Sequence, residues 1–162
     1  GPLYGLNPLS GAWVDADEFE SLVAKAGKLA PFDPQGACDL YRSAISLYRG
    51  DFLQECLYED WAIVERERML AVYLRAAQSF AELLYGGHET EECIDVCEAI
   101  LTRDTCWEEA YRLLMLCYLE RGNRSMALRA YERCEAALQS EMGVSPSRDT
   151  AAVLERVRLS TT

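Results

Sequence analysis

The chain has 162 residues, of which 50% are hydrophobic, and this composition suits one domain with a continuous core. No apolar run approaches the roughly 18 residues that span a bilayer, and no signal-peptide pattern opens the chain, so we expect a cytoplasmic protein without a membrane partner. The 16 basic and 27 acidic residues give a net charge of -11, which repels a phosphate backbone and argues against direct DNA binding by this chain.

The first residues are predicted to lie outside the folded domain. Gly1-Pro2 is typical of the scar that a tag-removing protease leaves. The stretch from Leu3 to Pro8 is short, extended in character and closed by a proline, as expected for the end of an upstream element. We therefore assign residues 1–12 to a scar and an upstream remnant, and residues 13–159 to one domain.

Two helices are predicted next, and together they form a diverged first repeat. Asp15 is a candidate N-cap with Glu18 as its capping-box partner, and the apolar spacing that follows predicts a helix over about residues 15–28. Prolines interrupt the chain up to Pro34. A second amphipathic helix then begins at about residue 37 and ends at Gly50.

An acidic and aromatic connector separates this pair from a long third helix. From Glu59 to Tyr85 the apolar pattern is helical without interruption, which predicts one helix of about 27 residues. We expect Trp61 to bury a large area where the connector meets this helix, and Arg66 to satisfy carbonyl groups of the connector.

The stretch from Arg75 to Gln139 contains two copies of one helix-turn-helix unit. Residues 110–134 fall on residues 76–100 after a shift of 34 residues, which is the period of tetratricopeptide (TPR) repeats. In the second copy the packing positions of the TPR pattern hold Tyr111, Leu114, Tyr118, Ala127 and Tyr131. The three tyrosines are therefore predicted to be structural anchors.

The remaining helices are predicted over about residues 89–102, 107–121 and 125–142, with Gly122-Asn123 as a tight turn and Gly143 as a C-cap. Ser145-Pro146 is predicted to cap a last helix that ends near residue 159. The sequence thus predicts an all-α, TPR-like right-handed solenoid of about seven helices, with three helix pairs and a C-terminal capping helix.

The seven cysteines are predicted to be free thiols, because no export signal and no CxxC pair is present. Cys93 and Cys97, with His88 nearby, could suggest a metal site. However, both cysteines fall on packing positions of the repeat, where free cysteine often serves as a small hydrophobe. We predict no metal site and no cofactor.

Several blocks of the sequence resemble the bacterial transcriptional activator domain of SARP-type (antibiotic regulatory protein) regulators, a TPR-like module. These blocks are VDADEFESLV, LYRGDFL, Trp61 followed by ERERML, and EMGVSPSRD, in this order between about Trp13 and Val157. The chain departs from the TPR pattern at Met115, Cys134 and Gln139. In this family the domain follows an OmpR-like winged helix, and LYGLNP is similar to the last strand of that wing. The resemblance therefore implies that residues 1–12 end a DNA-binding domain.

Two surfaces are candidates for binding. If the repeats stack as TPRs do, their first helices line a concave groove, and the groove residues are Arg75, Gln78, Glu82, Glu109, Arg112, Leu116 and Glu120. Such a mixed-charge floor suits a peptide or a neighbouring domain; the alternative is a set of solvated ion pairs. The second candidate is a basic patch of Arg121, Arg124, Arg129 and Arg133, which could hold an acidic partner or a nucleotide phosphate. Its alternative is local pairing with acids such as Glu132 and Glu135.

Catalysis is not expected. The sequence contains no GxSxG, GxxxxGK[ST] or HExxH motif, and its only histidine, His88, follows two glycines. Our first hypothesis is a protein-interaction module of a transcriptional regulator that contacts its own winged helix, another protomer or the transcription machinery. The alternatives are a sensor of a small anionic ligand and a TPR adaptor unrelated to transcription.

Overall fold

The computed structural model describes residues 11–48 and 59–160, with side chains from residue 16 onward. These ranges contain no strand and seven helices: α1 (Gly11–Leu29), α2 (Pro34–Leu47), α3 (Asp60–Gly86), α4 (Thr90–Arg103), α5 (Glu108–Glu120), α6 (Arg124–Met142) and α7 (Arg148–Leu159). The predicted all-α, TPR-like fold of about seven helices is confirmed. The long third helix has the predicted 27 residues.

Three helix starts differ from the prediction. Asp15 is not an N-cap, because α1 already begins at Gly11. Helix α2 begins at Pro34, since the Asp33 carboxylate accepts a hydrogen bond from the Gly36 amide at 3.0 Å and proline is favoured at the first helical position. Helix α7 begins after Ser147, whose hydroxyl accepts from the Thr150 amide at 3.4 Å. Local capping geometry therefore sets the starts of α2 and α7.

The chain forms two compact units, Gly1–Ala76 and Ala77–Thr162. In the first unit α1 packs along α2. Tyr48 joins the aromatic contacts of this unit, since its ring lies 5.7 Å from that of Phe19 and stacks at 4.3 Å on that of Tyr73. Arg68 of α3 donates to Glu20 of α1 at 2.7 Å and to Glu65 at 2.6 Å. Aromatic stacking and this ion pair thus hold three helices together.

In the second unit each helix packs on its neighbours: α4 on α5, α5 on α6, and α7 on both α5 and α6. The core is rich in small and sulfur-containing side chains. Met115 and Cys134, two departures from the TPR pattern, are fully buried. The unbranched side chain of methionine and the small side chain of cysteine suit a closely packed helix interface.

The 34-residue period appears in the backbone as well as in the sequence. Four turn and cap hydrogen bonds, each written from its N–H donor to its carbonyl acceptor, recur one period later: Gly87–Leu83 as Arg121–Cys117, His88–Tyr85 as Gly122–Leu119, Glu89–Leu84 as Asn123–Tyr118, and Cys93–Glu89 as Ala127–Asn123. His88 and Gly122 both have a left-handed backbone, with φ of 62° and 71°. The two turns are therefore structurally equivalent.

Candidate interaction surfaces

Two of the predicted groove residues of α3, Gln78 and Glu82, are linked by hydrogen bonds to the residue that precedes α5. The indole Nε1 of Trp107 donates to Gln78 Oε1 at 3.2 Å, and Gln78 Nε2 donates to Glu82 Oε1 at 2.9 Å. Arg75 belongs to the first unit, where its Nε donates to the Ala71 carbonyl within the same helix. Sequence reasoning missed Trp107 as a member of this surface, because it precedes α5 and falls outside the repeated positions.

On α5 the predicted groove residues have unequal roles. Arg112 is 21% exposed, and it lies 3.5 Å from Glu109 and 3.9 Å from Glu108. Glu109 is exposed, Leu116 is half-buried, and a carboxylate oxygen of Glu120 lies 2.7 Å from Nδ1 of His88. We name Gln78, Glu82, Trp107, Glu109, Leu116 and Glu120 the α3–α5 face; its charged members are all acidic.

Arg112 is instead part of a cluster that attaches α7 to α5. Glu108 accepts a hydrogen bond from the Ser147 amide at 2.6 Å and a short one from the Thr150 hydroxyl. Arg112 also donates to the Thr150 hydroxyl, at 3.2 Å, and Thr150 is fully buried. Although burial raises the pKa of Glu108, the hydrogen bonds from Ser147 and Thr150 and the charge of Arg112 bring it below its usual range.

Two of the four arginines of the predicted basic patch bind to other helices of the second unit. Both terminal nitrogens of Arg133 bond to the Glu98 carboxylate of α4 at 2.8 Å, which raises the pKa of the guanidinium. The local partners weighed for it, Glu132 and Glu135, make no ion pair with it. Arg124 donates at 3.1 Å to the Val157 and Arg158 carbonyls at the end of α7.

The other two members of the basic patch make no ion pair among the described residues. Arg121 and Arg129 are exposed, and Arg129 contacts the Met126 sulfur at 3.8 Å. Arg124 and Arg133 are exposed as well, but Glu98 pairs with the charge of Arg133 and the end of α7 orients Arg124, so the patch is less available to an anion than the sequence suggested.

The predicted structural anchors differ in burial. Tyr111 is buried, its hydroxyl donates to the Thr105 carbonyl at 3.0 Å, and the Arg133 guanidinium lies 5.7 Å from its ring centre. Tyr118 and Tyr131 are half-buried, and for both burial is the main cause of a raised pKa.

The expected burial of Trp61 is not observed. Its side chain is 49% exposed, and its Nε1 donates to Glu59 at 2.9 Å. Arg66 is half-buried, and the connector carbonyls proposed as its partners lie outside the described residues. The residue of this block that joins two helices is Arg68, which a local pattern could not reveal because Glu20 is 48 positions away.

Four cysteines of the second unit are buried and serve as packing residues. The Cys93 thiol donates to the Ala81 carbonyl at 3.2 Å, and Cys97, Cys117 and Cys134 are fully buried. Burial raises the pKa of Cys134 to about 12. For Cys93, the hydrogen bond with Cys117 lowers the pKa, but that with Cys97 and burial outweigh it and raise the value to about 12.

The described residues contain neither a metal-binding cluster nor a membrane-spanning helix. Within residues 11–48 and 59–160, no group of three or more His, Cys, Asp or Glu side chains is arranged to hold a metal ion. No helix in these same ranges is long and apolar enough to cross a membrane.

A comparison with models of known families identifies the family of this chain. None of the curated proteins compared with this chain matches it significantly. A family model described as "Bacterial transcriptional activator domain" matches residues 14–158, nearly the whole of the helical region. This match confirms the resemblance found in the four sequence blocks. The chain therefore belongs to the bacterial transcriptional activator domain family and is a domain of a bacterial transcriptional regulator.

Proposed function

We propose that this domain acts through protein contacts, and that it controls an attached winged-helix DNA-binding domain that precedes it in a longer regulator. The single observation that carries the proposal is the family match over residues 14–158. The partner is the winged helix itself, a second protomer or the transcription machinery. Because transcription occurs there, we expect the domain to act in the cytoplasm.

The charge of the chain supports protein rather than DNA as the direct partner. A net charge of -11 opposes phosphate binding, and the two arginines with the best geometry for anions are bound to Glu98 and to the end of α7. We also propose that the domain is not an enzyme. His88, the only histidine, is exposed at a turn, and the contact it makes among the described residues is with the Glu120 carboxylate rather than with a hydroxyl or thiol nucleophile.

The α3–α5 face is our candidate for the contact surface. It combines the half-buried Trp107 and Leu116 with the exposed carboxylates Glu82 and Glu109. Protein interfaces commonly place aromatic side chains at their centre and charged groups at the rim. A partner with a basic, partly apolar segment fits this surface best.

The test uses the full-length regulator with the charge of this face reversed. We expect Glu82→Arg with Glu109→Arg to abolish most transcriptional activation from a reporter promoter while leaving the melting temperature unchanged. The matched control is Glu91→Arg with Asp95→Arg, which makes the same charge change at exposed positions of α4. Activation that stays at the wild-type level in the first variant would contradict the assignment of the face. Equal loss in both variants would point to net charge instead.

A further inference from the structure

Helix α7 differs from the other helices of its unit in how it is held in place. It has 12 residues, a length at which an isolated helix is marginal in water, so its order depends on docking. It packs on α5 and α6, and it buries four side chains: Thr150, Val153, Leu154 and Val157. The segment before it, residues 143–147, is not helical and is mostly exposed.

The start of α7 is held by a negative charge from α5. The first amides of a helix have no partner within it and carry the positive end of the helix dipole. Glu108 accepts from one of them, the amide of Ser147, and also from the Thr150 hydroxyl in the first turn. A carboxylate at this position stabilises the docked helix through both its charge and its hydrogen bonds.

The end of α7 is held by a positive charge from α6. The last carbonyls of a helix lack amide partners and carry the negative end of the dipole. Arg124 donates to two of these groups, the carbonyls of Val157 and Arg158. The two charged side chains thus stand at the two ends of one helix, each with the sign that its end of the dipole favours.

We propose that α7 is a lid: Glu108 and Arg124 latch its two ends, and it leaves the α5–α6 surface as one unit while α4, α5 and α6 stay folded. The mostly exposed, non-helical segment of residues 143–147 joins the lid to α6. Release of the lid uncovers the apolar surface of α5 and α6 that Val153, Leu154 and Val157 cover. Docking of α7 therefore determines whether this surface of α5 and α6 is covered or exposed, whichever partner the regulator has.

Native-state hydrogen exchange of the full chain, followed by mass spectrometry, tests the lid. In the wild type we expect the α7 amides to exchange faster than those of α5. Glu108→Gln and Arg124→Ala should each accelerate exchange in α7 about ten- to a hundred-fold, as expected for a lost hydrogen bond to a charged group, with exchange in α4 and α5 unchanged.

The matched control is Glu98→Gln, which removes a carboxylate that also bridges two helices but does not touch α7. It should leave exchange in α7 unchanged. Equal exchange rates of α7 and α5 in the wild type would overturn the proposal. So would an acceleration that spreads evenly over α4, α5 and α7 in the two latch variants. If Glu108→Gln does not fold, Arg124→Ala tests the same release from the opposite end of the helix.

Discussion

His88 and Gly122 stand at the same position of consecutive repeats, and only one of them is a glycine. Both have a left-handed backbone, which glycine adopts freely and a residue with a Cβ atom adopts at a cost. We predict that His88→Gly raises the free energy of unfolding by about 1 kcal/mol. The contact with Glu120 that this substitution removes contributes little to the free energy of unfolding, because the histidine is 79% exposed. Urea denaturation followed by circular dichroism measures the change.

The equivalent turn supplies the control. A Cβ atom at Gly122 meets nothing within 4 Å, so Gly122→Ala tests the backbone alone. It should destabilise the domain by about 1 kcal/mol. A His88→Gly variant that melts below the wild type would show that the His88 side chain outweighs the strain of its backbone.

The residue after this turn gives a second prediction. Asn123 caps α6 by accepting from the Met126 amide at 3.2 Å, whereas Glu89, one period earlier, makes no side-chain cap for α4. The backbone angles of the two residues are similar, with φ of -82° at Glu89 and -98° at Asn123. Glu89→Asn should therefore stabilise the domain by about 1 kcal/mol, measured by thermal melting. Asn123→Glu should destabilise it comparably, and the prediction fails if both changes have the same sign.

Because Trp61 is half exposed, its replacement should destabilise the domain less than the replacement of a buried tryptophan would. Trp61→Ala should cost about 1 to 2 kcal/mol, because much of the ring is already in water. Phe80 is 2% exposed, and Phe80→Ala should cost about 3 to 5 kcal/mol. Chemical denaturation of both variants gives the comparison. Equal losses would mean that Trp61 contributes as a core residue.

At the scale of helices, the docking of α7 should depend on acidity. The pKa of Glu108 is lowered in the folded chain, so the stability that its carboxylate contributes is full above its unfolded pKa. That stability is lost as the pH falls through the lower, folded value. We expect Glu108→Gln to be less stable than the wild type by about 1 to 3 kcal/mol at pH 7, with the difference shrinking below about pH 4.

Denaturation of both proteins across pH 3 to 7 checks this expectation. Glu65, whose pKa its hydrogen bond with Arg68 lowers, titrates in both proteins and cancels in the difference. A difference between wild type and Glu108→Gln that is constant over this range would show that the Glu108 charge does not contribute to docking.

Helices and repeats were predictable from the sequence because their signals are local. The apolar spacing of α3 and the Gly122-Asn123 turn depend on residues within a few positions of each other. The latch on α7 was not predictable, since Glu108 and Thr150 are 42 positions apart and meet only when the helices pack. The same reason explains Arg133, whose nearest acids in sequence are not the ones that it binds.

At the scale of the whole molecule, the net charge of the chain predicts that it does not bind DNA. With 27 acidic and 16 basic residues, the chain repels duplex DNA, most strongly at low salt where this repulsion is least screened. Fluorescence anisotropy with a labelled promoter duplex at 50 and 150 mM salt should show no binding by residues 1–162, while the full-length regulator serves as the positive control. Sequence-specific, nanomolar binding by this chain alone would contradict the proposed function.

The buried thiols have a practical consequence for following the two units in solution. Cys38 is buried in the first unit, and Cys93, Cys97, Cys117 and Cys134 are buried in the second. A buried thiol with a raised pKa reacts with an alkylating reagent only when its surroundings open. Pulsed alkylation of the unmodified chain, read peptide by peptide, would therefore time the opening of each unit separately without any introduced label.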